Sequence, residues 1–111
     1  MPFSDAALVG DTLYIAGRIG VDPAMGEAPA DVDAELELLF DGFQAVLREA
    51  GMTMDYLVWV RVYSPDVSLR RKFNAAYVKL VSREFPARAF LGSGTLLLKG
   101  RFEMIGIAVK G

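Results

Sequence analysis

One stretch, Asp31 to Ala50, constrains the fold of this 111-residue chain more than any other. Apolar side chains recur in it every three or four residues, which is the stripe of an amphipathic helix. The stripe consists of Val32, Leu36, Leu39, Phe40, Phe43, Val46 and Leu47. Asp31 is suited to cap this helix, and Gly51 is suited to end it. A stripe this wide must be buried, so the rest of the chain has to supply an apolar surface for it.

The segments before and after this helix have the composition of strands. Ala6 to Val9 and Thr12 to Ala16 are predicted to form a hairpin about the Gly10-Asp11 turn, and Arg18 to Val21 could extend it. Tyr56 to Ser64 is rich in β-branched and aromatic residues, and both of its faces are largely apolar. That pattern predicts an internal strand that is covered on both sides.

A second apolar stripe precedes Pro86. Its members are Leu69, Phe73, Ala76, Tyr77, Leu80 and Val81. We expect Asp66 or Ser68 to cap this second helix and Pro86 to stop it. Two further strands are predicted over residues 87–94 and 101–109.

This order of elements predicts an α+β fold, with a mixed sheet that carries both helices on one face. Residues 1–111 form a single domain by length. The composition is 53% hydrophobic, which is rich for so short a chain. We therefore expect a homo-oligomer, in which a partner subunit covers the other face of the sheet.

The composition excludes several kinds of site. Cysteine and histidine are absent, which excludes disulfides, Cys/His zinc sites, thiol nucleophiles and imidazole catalysis. The net charge is −2 and the only basic cluster is Arg70-Arg71-Lys72, so nucleic-acid binding is not expected. The longest apolar run, Tyr56 to Val60, is too short to span a membrane, and the N-terminus has no secretory pattern. We expect a cytoplasmic protein.

Two charged residues interrupt the apolar C-terminal strands. Arg88 lies in Phe85-Pro86-Ala87-Arg88-Ala89-Phe90-Leu91, and Glu103 lies in Phe102-Glu103-Met104-Ile105. Charged side chains are seldom buried unless they are paired. The residues alone leave three alternatives open: an ion pair, an arginine that satisfies strand-end carbonyls, or a ligand-binding pair.

Several short stretches, taken in order, resemble one known family. The most specific are Pro86-Ala87-Arg88-Ala89, the spacing of Gly94 and Leu96, and Glu103-Met104. The supporting stretches are Gly10-Asp11-Thr12-Leu13-Tyr14-Ile15, Ala16-Gly17-Arg18-Ile19, Asp22-Pro23, Gly26-Glu27, Ala50-Gly51 and Phe73-Asn74-Ala75-Ala76-Tyr77. Together they resemble the RidA/YjgF family of imine and enamine deaminases over nearly the whole chain.

The resemblance implies a chorismate-mutase-like fold, a homotrimer and ligand clefts between subunits. It implies that Arg88 binds the carboxylate of a 2-imino acid and that Glu103 positions or activates water. The chemistry needs no cofactor and no metal. Gly17 is expected to allow close approach beside the cleft. Asn74, at the edge of the second apolar stripe, is interpreted as a structural hydrogen-bonding residue rather than a catalytic one, and like Gly17 it is a candidate substrate contact.

Four positions depart from active relatives, and all four are candidate ligand contacts. Relatives often have tyrosine at Phe3, serine at Ala16, a small or thiol residue at Phe90, and glutamine at Arg18. We expect Phe90 to narrow and dry the cleft, and Arg18 could share the carboxylate contact.

The leading interpretation is an imine deaminase. The alternatives are a non-catalytic trimeric binder of small carboxylates with a regulatory role and, less favoured, a ribonuclease.

Overall fold

The architecture is a mixed five-stranded sheet with two helices, seen in a computed structural model that describes residues 4–110. In chain order the elements are β1 (Ala6–Val9), β2 (Thr12–Arg18), α1 (Val32–Glu49), β3 (Leu57–Ser64), α2 (Arg70–Tyr77), β4 (Ala87–Gly92) and β5 (Glu103–Val109). The strand order is β1-β2-β5-β3-β4, in which β3 and β4 are parallel and every other pair is antiparallel. The predicted α+β class with a mixed sheet is confirmed.

Helix α1 follows the predicted stripe closely. The Asp31 carboxylate caps it by accepting a 3.0 Å hydrogen bond from the backbone N–H of Ala34. Gly51 follows the helix with a φ of 71°, a left-handed conformation that glycine adopts without strain. The apolar stripe is buried against the sheet. Within residues 4–110, neither helix has the length and apolarity needed to cross a membrane.

Helix α2 is shorter than its stripe predicts. It ends at Tyr77 rather than continuing to Pro86. The segment after the helix is held by a distant residue: Asp55 accepts a 2.7 Å hydrogen bond from the backbone N–H of Ser82, and a second from the Ser82 hydroxyl. These hydrogen bonds also hold the pKa of the Asp55 carboxyl below its usual value. Because the helix has already ended at Tyr77, proline is not what stops it.

The two faces of the sheet differ in burial. Val60 and Val62 of β3 have no exposed surface beneath the helices. Trp59 and Tyr63 alternate with them on the opposite face and are partly exposed. Tyr14 of β2 is half exposed on that face as well. One face of the sheet is therefore covered by the chain itself. That a partner subunit covers the other face stays a prediction.

Candidate functional site

Arg88 lies on the helix-covered face, at the edge of the sheet. It pairs with Val60 in the β3–β4 register and so points to the same side as that buried valine. Its guanidinium carbon lies 5.0 Å from the centre of the Tyr77 ring and 5.6 Å from that of Phe73. Both rings belong to α2, so the cation is held by two aromatic faces.

The Arg88 guanidinium has no polar partner in the part of the chain that the structure describes. No carboxylate of residues 4–110 lies within salt-bridge distance, and no oxygen there accepts its hydrogen bonds. Burial lowers its pKa, and the nearby Arg70 charge adds to this, while Tyr77 acts in the opposite direction. Arginine nonetheless remains protonated in proteins. A fixed cation with free donors is the chemistry of an anion-binding site.

Arg88 borders a cavity of about 250 Å³. The lining residues are Asn74, Tyr77, Val78, Phe85, Pro86 and Arg88. The side-chain oxygen of Asn74 and the hydroxyl of Tyr77 are buried without a partner among residues 4–110. Buried polar atoms of this kind are rare and call for an explanation. We name Arg88, Asn74 and Tyr77 the arginine half-site.

Tyr77 was predicted to lie on the apolar stripe of the second helix and was not among the candidate site residues. A signal was available, because Tyr77 follows Asn74 by three residues and such positions share a helix face. Burial raises the pKa of the Tyr77 phenol, opposed in part by the Arg88 charge. The phenol is therefore a hydrogen-bond donor at neutral pH.

Phe90 packs inward beneath α2. Its ring lies edge-on to Phe73, with a centroid distance of 5.6 Å, and 6.5 Å from Phe102. Phe73 in turn contacts Phe40 at 5.3 Å. The ring of Phe90 thus contributes to the aromatic cluster on which Arg88 rests, and its effect on the width of a cleft stays a prediction.

Glu103 lies on the opposite face of the sheet. It is the first residue of β5 and pairs with Tyr63, so its side chain shares the face that the helices leave open. The carboxylate lies over Gly17, where a Cβ atom would be only 3.0 Å from the Glu103 Cδ and Oε2 atoms. Glu103, Ala16 and Gly17, which line one groove of about 490 Å³, are named the glutamate half-site.

Arg18 borders this groove, but its guanidinium reaches toward α1. Its Nη1 atom is 3.5 Å from Asp5 Oδ1. A Cβ atom on Gly42 would lie 3.2 Å from the Arg18 Nε atom, so the absence of a side chain there makes room for the guanidinium. The expected contact between Arg18 and a ligand stays a prediction. Phe3 lies outside the described residues.

A buried ion pair that sequence analysis missed supports the glutamate half-site. Glu35 of α1 is fully buried and accepts hydrogen bonds from the backbone N–H of Arg101, at 2.7 Å, and from its Nε, at 2.6 Å. Arg101 also donates to the carbonyls of Ala30 and Pro29. Because Arg101 is two residues before Glu103, this pair fixes the point at which β5 begins. The available signal was spacing, because Glu35 lies three residues after Val32 and four before Leu39 and so falls on the apolar stripe.

The segment before Arg101 carries strain. Leu98 and Lys99 have φ angles of 55° and 59°, which side-chain-bearing residues seldom adopt. The backbone N–H of Ala28 donates a 2.8 Å hydrogen bond to the Leu98 carbonyl. Leu98 also lines the groove of the glutamate half-site, so the Glu35–Arg101 pair and this hydrogen bond hold one wall of that groove.

The two half-sites cannot meet within one chain. Arg88 and Glu103 are on opposite faces, and their partners on β3, Val60 and Tyr63, are three residues apart, roughly 10 Å along the strand. The ion-pair alternative is therefore wrong for the single chain. Within residues 4–110, no group of three or more acidic side chains is placed to hold a metal ion.

Solved structures with the same fold indicate the class of protein to which this chain belongs. The chain superposes on RidA from an Antarctic Psychrobacter species with a TM-score of 0.91 and 30% identity, covering 99% of this chain and 89% of that one. It superposes on the YjgF gene product of E. coli with a TM-score of 0.90 and 28% identity, again covering 99% and 89%.

The family model described as endoribonuclease L-PSP matches residues 1–110. The chain belongs to this family, which is also the YjgF/RidA family. It is 34% identical to 2-iminobutanoate/2-iminopropanoate deaminase of Bos taurus, over 99% of this chain and 81% of that protein. It is 32% identical to a RutC family protein of Pyrococcus abyssi, over 98% and 87%.

Proposed function

We propose that this protein is an imine deaminase that hydrolyses 2-imino acids, and the corresponding enamines, to 2-keto acids and ammonia. The observation that carries the proposal is the Arg88 guanidinium, which is held on two aromatic rings and has no hydrogen-bond or ion-pair partner among residues 4–110. A planar cation of this kind binds a carboxylate through two parallel hydrogen bonds. The bovine relative named for 2-imino acid deamination supports the same reaction.

The chemistry follows from the two half-sites. Arg88 holds the substrate carboxylate, which fixes the position of the neighbouring imine carbon. Glu103 accepts a proton from a water molecule as the water oxygen bonds to that carbon. The substrate reacts as the protonated imine, so the electron pair of its C=N bond moves to nitrogen and leaves an amino group. Glu103 then returns its proton to that amino group, and the C–N bond breaks to release ammonia as the new hydroxyl group loses its proton and becomes the carbonyl of the keto acid.

The proposal requires a second copy of the chain, because Arg88 and Glu103 lie on opposite faces of one sheet. We propose a homotrimer in which the arginine half-site of one subunit meets the glutamate half-site of the next. The partly exposed, largely apolar face around Trp59 and Tyr63 is the surface that such an assembly would bury.

Subunit mixing tests both parts of this proposal. Arg88→Ala and Glu103→Ala should each abolish keto-acid release from imino acids generated in situ. Co-refolding the two inactive variants should restore about a quarter of the wild-type rate, because random assembly pairs their intact half-sites at that frequency. Arg88→Ala refolded alone is the control. Wild-type protein that does not accelerate hydrolysis would disprove the deaminase, and active single variants would disprove the residue assignment.

A non-catalytic binder of small carboxylates is the second candidate. The observation in its favour is Ala16, which lines the groove beside Glu103 without a hydroxyl group. Calorimetry with 2-oxobutanoate distinguishes the two candidates. Binding that requires Arg88, together with no turnover of any imino acid tried, would favour the binder.

A further inference from the structure

The cavity beside Arg88 is lined by one charged residue and several apolar or aromatic residues. Of its six lining residues, Val78, Phe85 and Pro86 are apolar, and Tyr77 presents an aromatic ring. Arg88 is the only charged residue among the six. A cavity that combines one cation with apolar surface suits a ligand that has a carboxylate at one end and hydrocarbon at the other.

Phe85 gives this cavity an exposed aromatic wall. Its side chain stays 56% exposed, although it stacks on Tyr77 with a centroid distance of 6.0 Å and an interplanar angle of 27°. A large apolar side chain left in water, on the same cavity as a cation that has no polar partner within residues 4–110, is surface that a bound molecule can cover. The ring is also backed by a buried tyrosine, so its position is supported from one side.

We infer that this cavity receives the side chain of the substrate, and that the enzyme prefers 2-imino acids with bulky apolar or aromatic side chains. The inference rests on the proposed function, because it takes Arg88 as the carboxylate anchor. Only two bonds separate the carboxylate carbon from the first side-chain carbon of a 2-imino acid. The side chain therefore begins beside Arg88, in a cavity to which Val78 and Phe85 contribute apolar walls.

Binding of stable keto acids tests the inference without depending on turnover. Calorimetry compares pyruvate, 2-oxobutanoate, 4-methyl-2-oxopentanoate and phenylpyruvate. Wild-type affinity should rise about tenfold or more from pyruvate to phenylpyruvate, because apolar surface is buried. Phe85→Ala should lose most of that gain and bind pyruvate as wild type does. Met25→Ala is the matched control, since Met25 is 57% exposed and lies outside the cavity.

The outcomes separate this inference from the proposed function. Equal affinity across the series, or an unchanged gain in Phe85→Ala, would overturn it. A uniform loss of affinity for all four ligands in Phe85→Ala would also overturn it, because that pattern indicates a role in assembly or in carboxylate binding. Failure of imine turnover with the size preference intact would instead disprove the deaminase and leave the cavity assignment standing.

Discussion

The two half-sites are supported by opposite kinds of interaction. Arg88 rests on the aromatic faces of Tyr77 and Phe73, which hold it without occupying its hydrogen-bond donors. The strand that begins with Glu103 is fixed by hydrogen bonds and charge, through the buried Glu35–Arg101 pair. Aromatic support therefore leaves the hydrogen-bond donors of Arg88 available for a ligand. The donors of Arg101 are instead occupied by Glu35 and by backbone carbonyls. The predictions below test this difference.

Arg101→Met should have the largest effect, and the effect is on stability. It leaves the fully buried Glu35 carboxylate without its Nε hydrogen bond and without its counter-charge. Breaking a buried pair in this way costs about 3–5 kcal/mol of unfolding free energy. Urea denaturation at fixed protein concentration measures the change.

The exposed pair of Lys72 and Asp33, separated by 3.5 Å, provides the control. Lys72→Met should change the unfolding free energy by no more than about 0.5 kcal/mol. Equal losses for Lys72→Met and Arg101→Met would show that the buried pair stabilises the fold no more than an exposed pair does.

Arg88→Lys should have the next largest effect, and the effect is on ligand binding. Lysine keeps the charge but loses the planar fork and the stacking on Tyr77, so affinity for 2-oxobutanoate should fall about 10- to 100-fold. Stability should change little, because Arg88 has no polar partner among residues 4–110. Calorimetry and thermal unfolding measure the two quantities. Arg48→Lys, at the exposed end of α1, is the control, and unchanged affinity in Arg88→Lys would contradict the prediction.

Gly17→Ala should have a smaller effect, on turnover alone. The new methyl group would lie 3.0 Å from the Glu103 carboxylate and displace it. Because the end of a glutamate side chain is flexible, the fold should tolerate the change, while imine hydrolysis falls about five- to tenfold. Keto-acid affinity, which depends on Arg88, should stay within about twofold. Gly94→Ala is the control, since a Cβ atom there meets nothing within 4 Å; an equal loss of turnover in both variants would refute the assignment.

The part of the structure that could be predicted from sequence is the part encoded by local pattern. The stripe of α1 and its Asp31 cap depend on neighbours along the chain, and the structure confirms both. The predicted end of α2 at Pro86 was wrong: the helix ends at Tyr77, and the segment after it is held by Asp55, 27 residues before Ser82. The Glu35–Arg101 pair spans 66 residues in the same way. Periodicity carries no information about such distant contacts.

The candidate site could likewise be predicted only in part. Arg88 and Glu103 could be identified as charges in apolar strands, but the faces they occupy could not. Their faces follow from the strand order, because β3 lies between β4 and β5 and sets the register of both. Residue spacing does not determine strand order, so the separation of the two half-sites emerges only from the three-dimensional arrangement.

Tyr77→Phe should have the smallest effect, and its sign tests whether the aromatic support needs the hydroxyl. The hydroxyl is buried without a partner among residues 4–110, so its removal should raise the unfolding free energy by up to about 1 kcal/mol.

Burial raises the pKa of the Tyr77 phenol in the folded state. The native state therefore retains this proton at a pH where the unfolded chain loses it, and wild-type stability should fall as pH rises above about 10. Tyr77→Phe should fall less steeply in urea titrations between pH 9 and 11. A variant less stable than wild type at pH 7 would show instead that the hydroxyl gains a hydrogen-bond partner in the assembled protein.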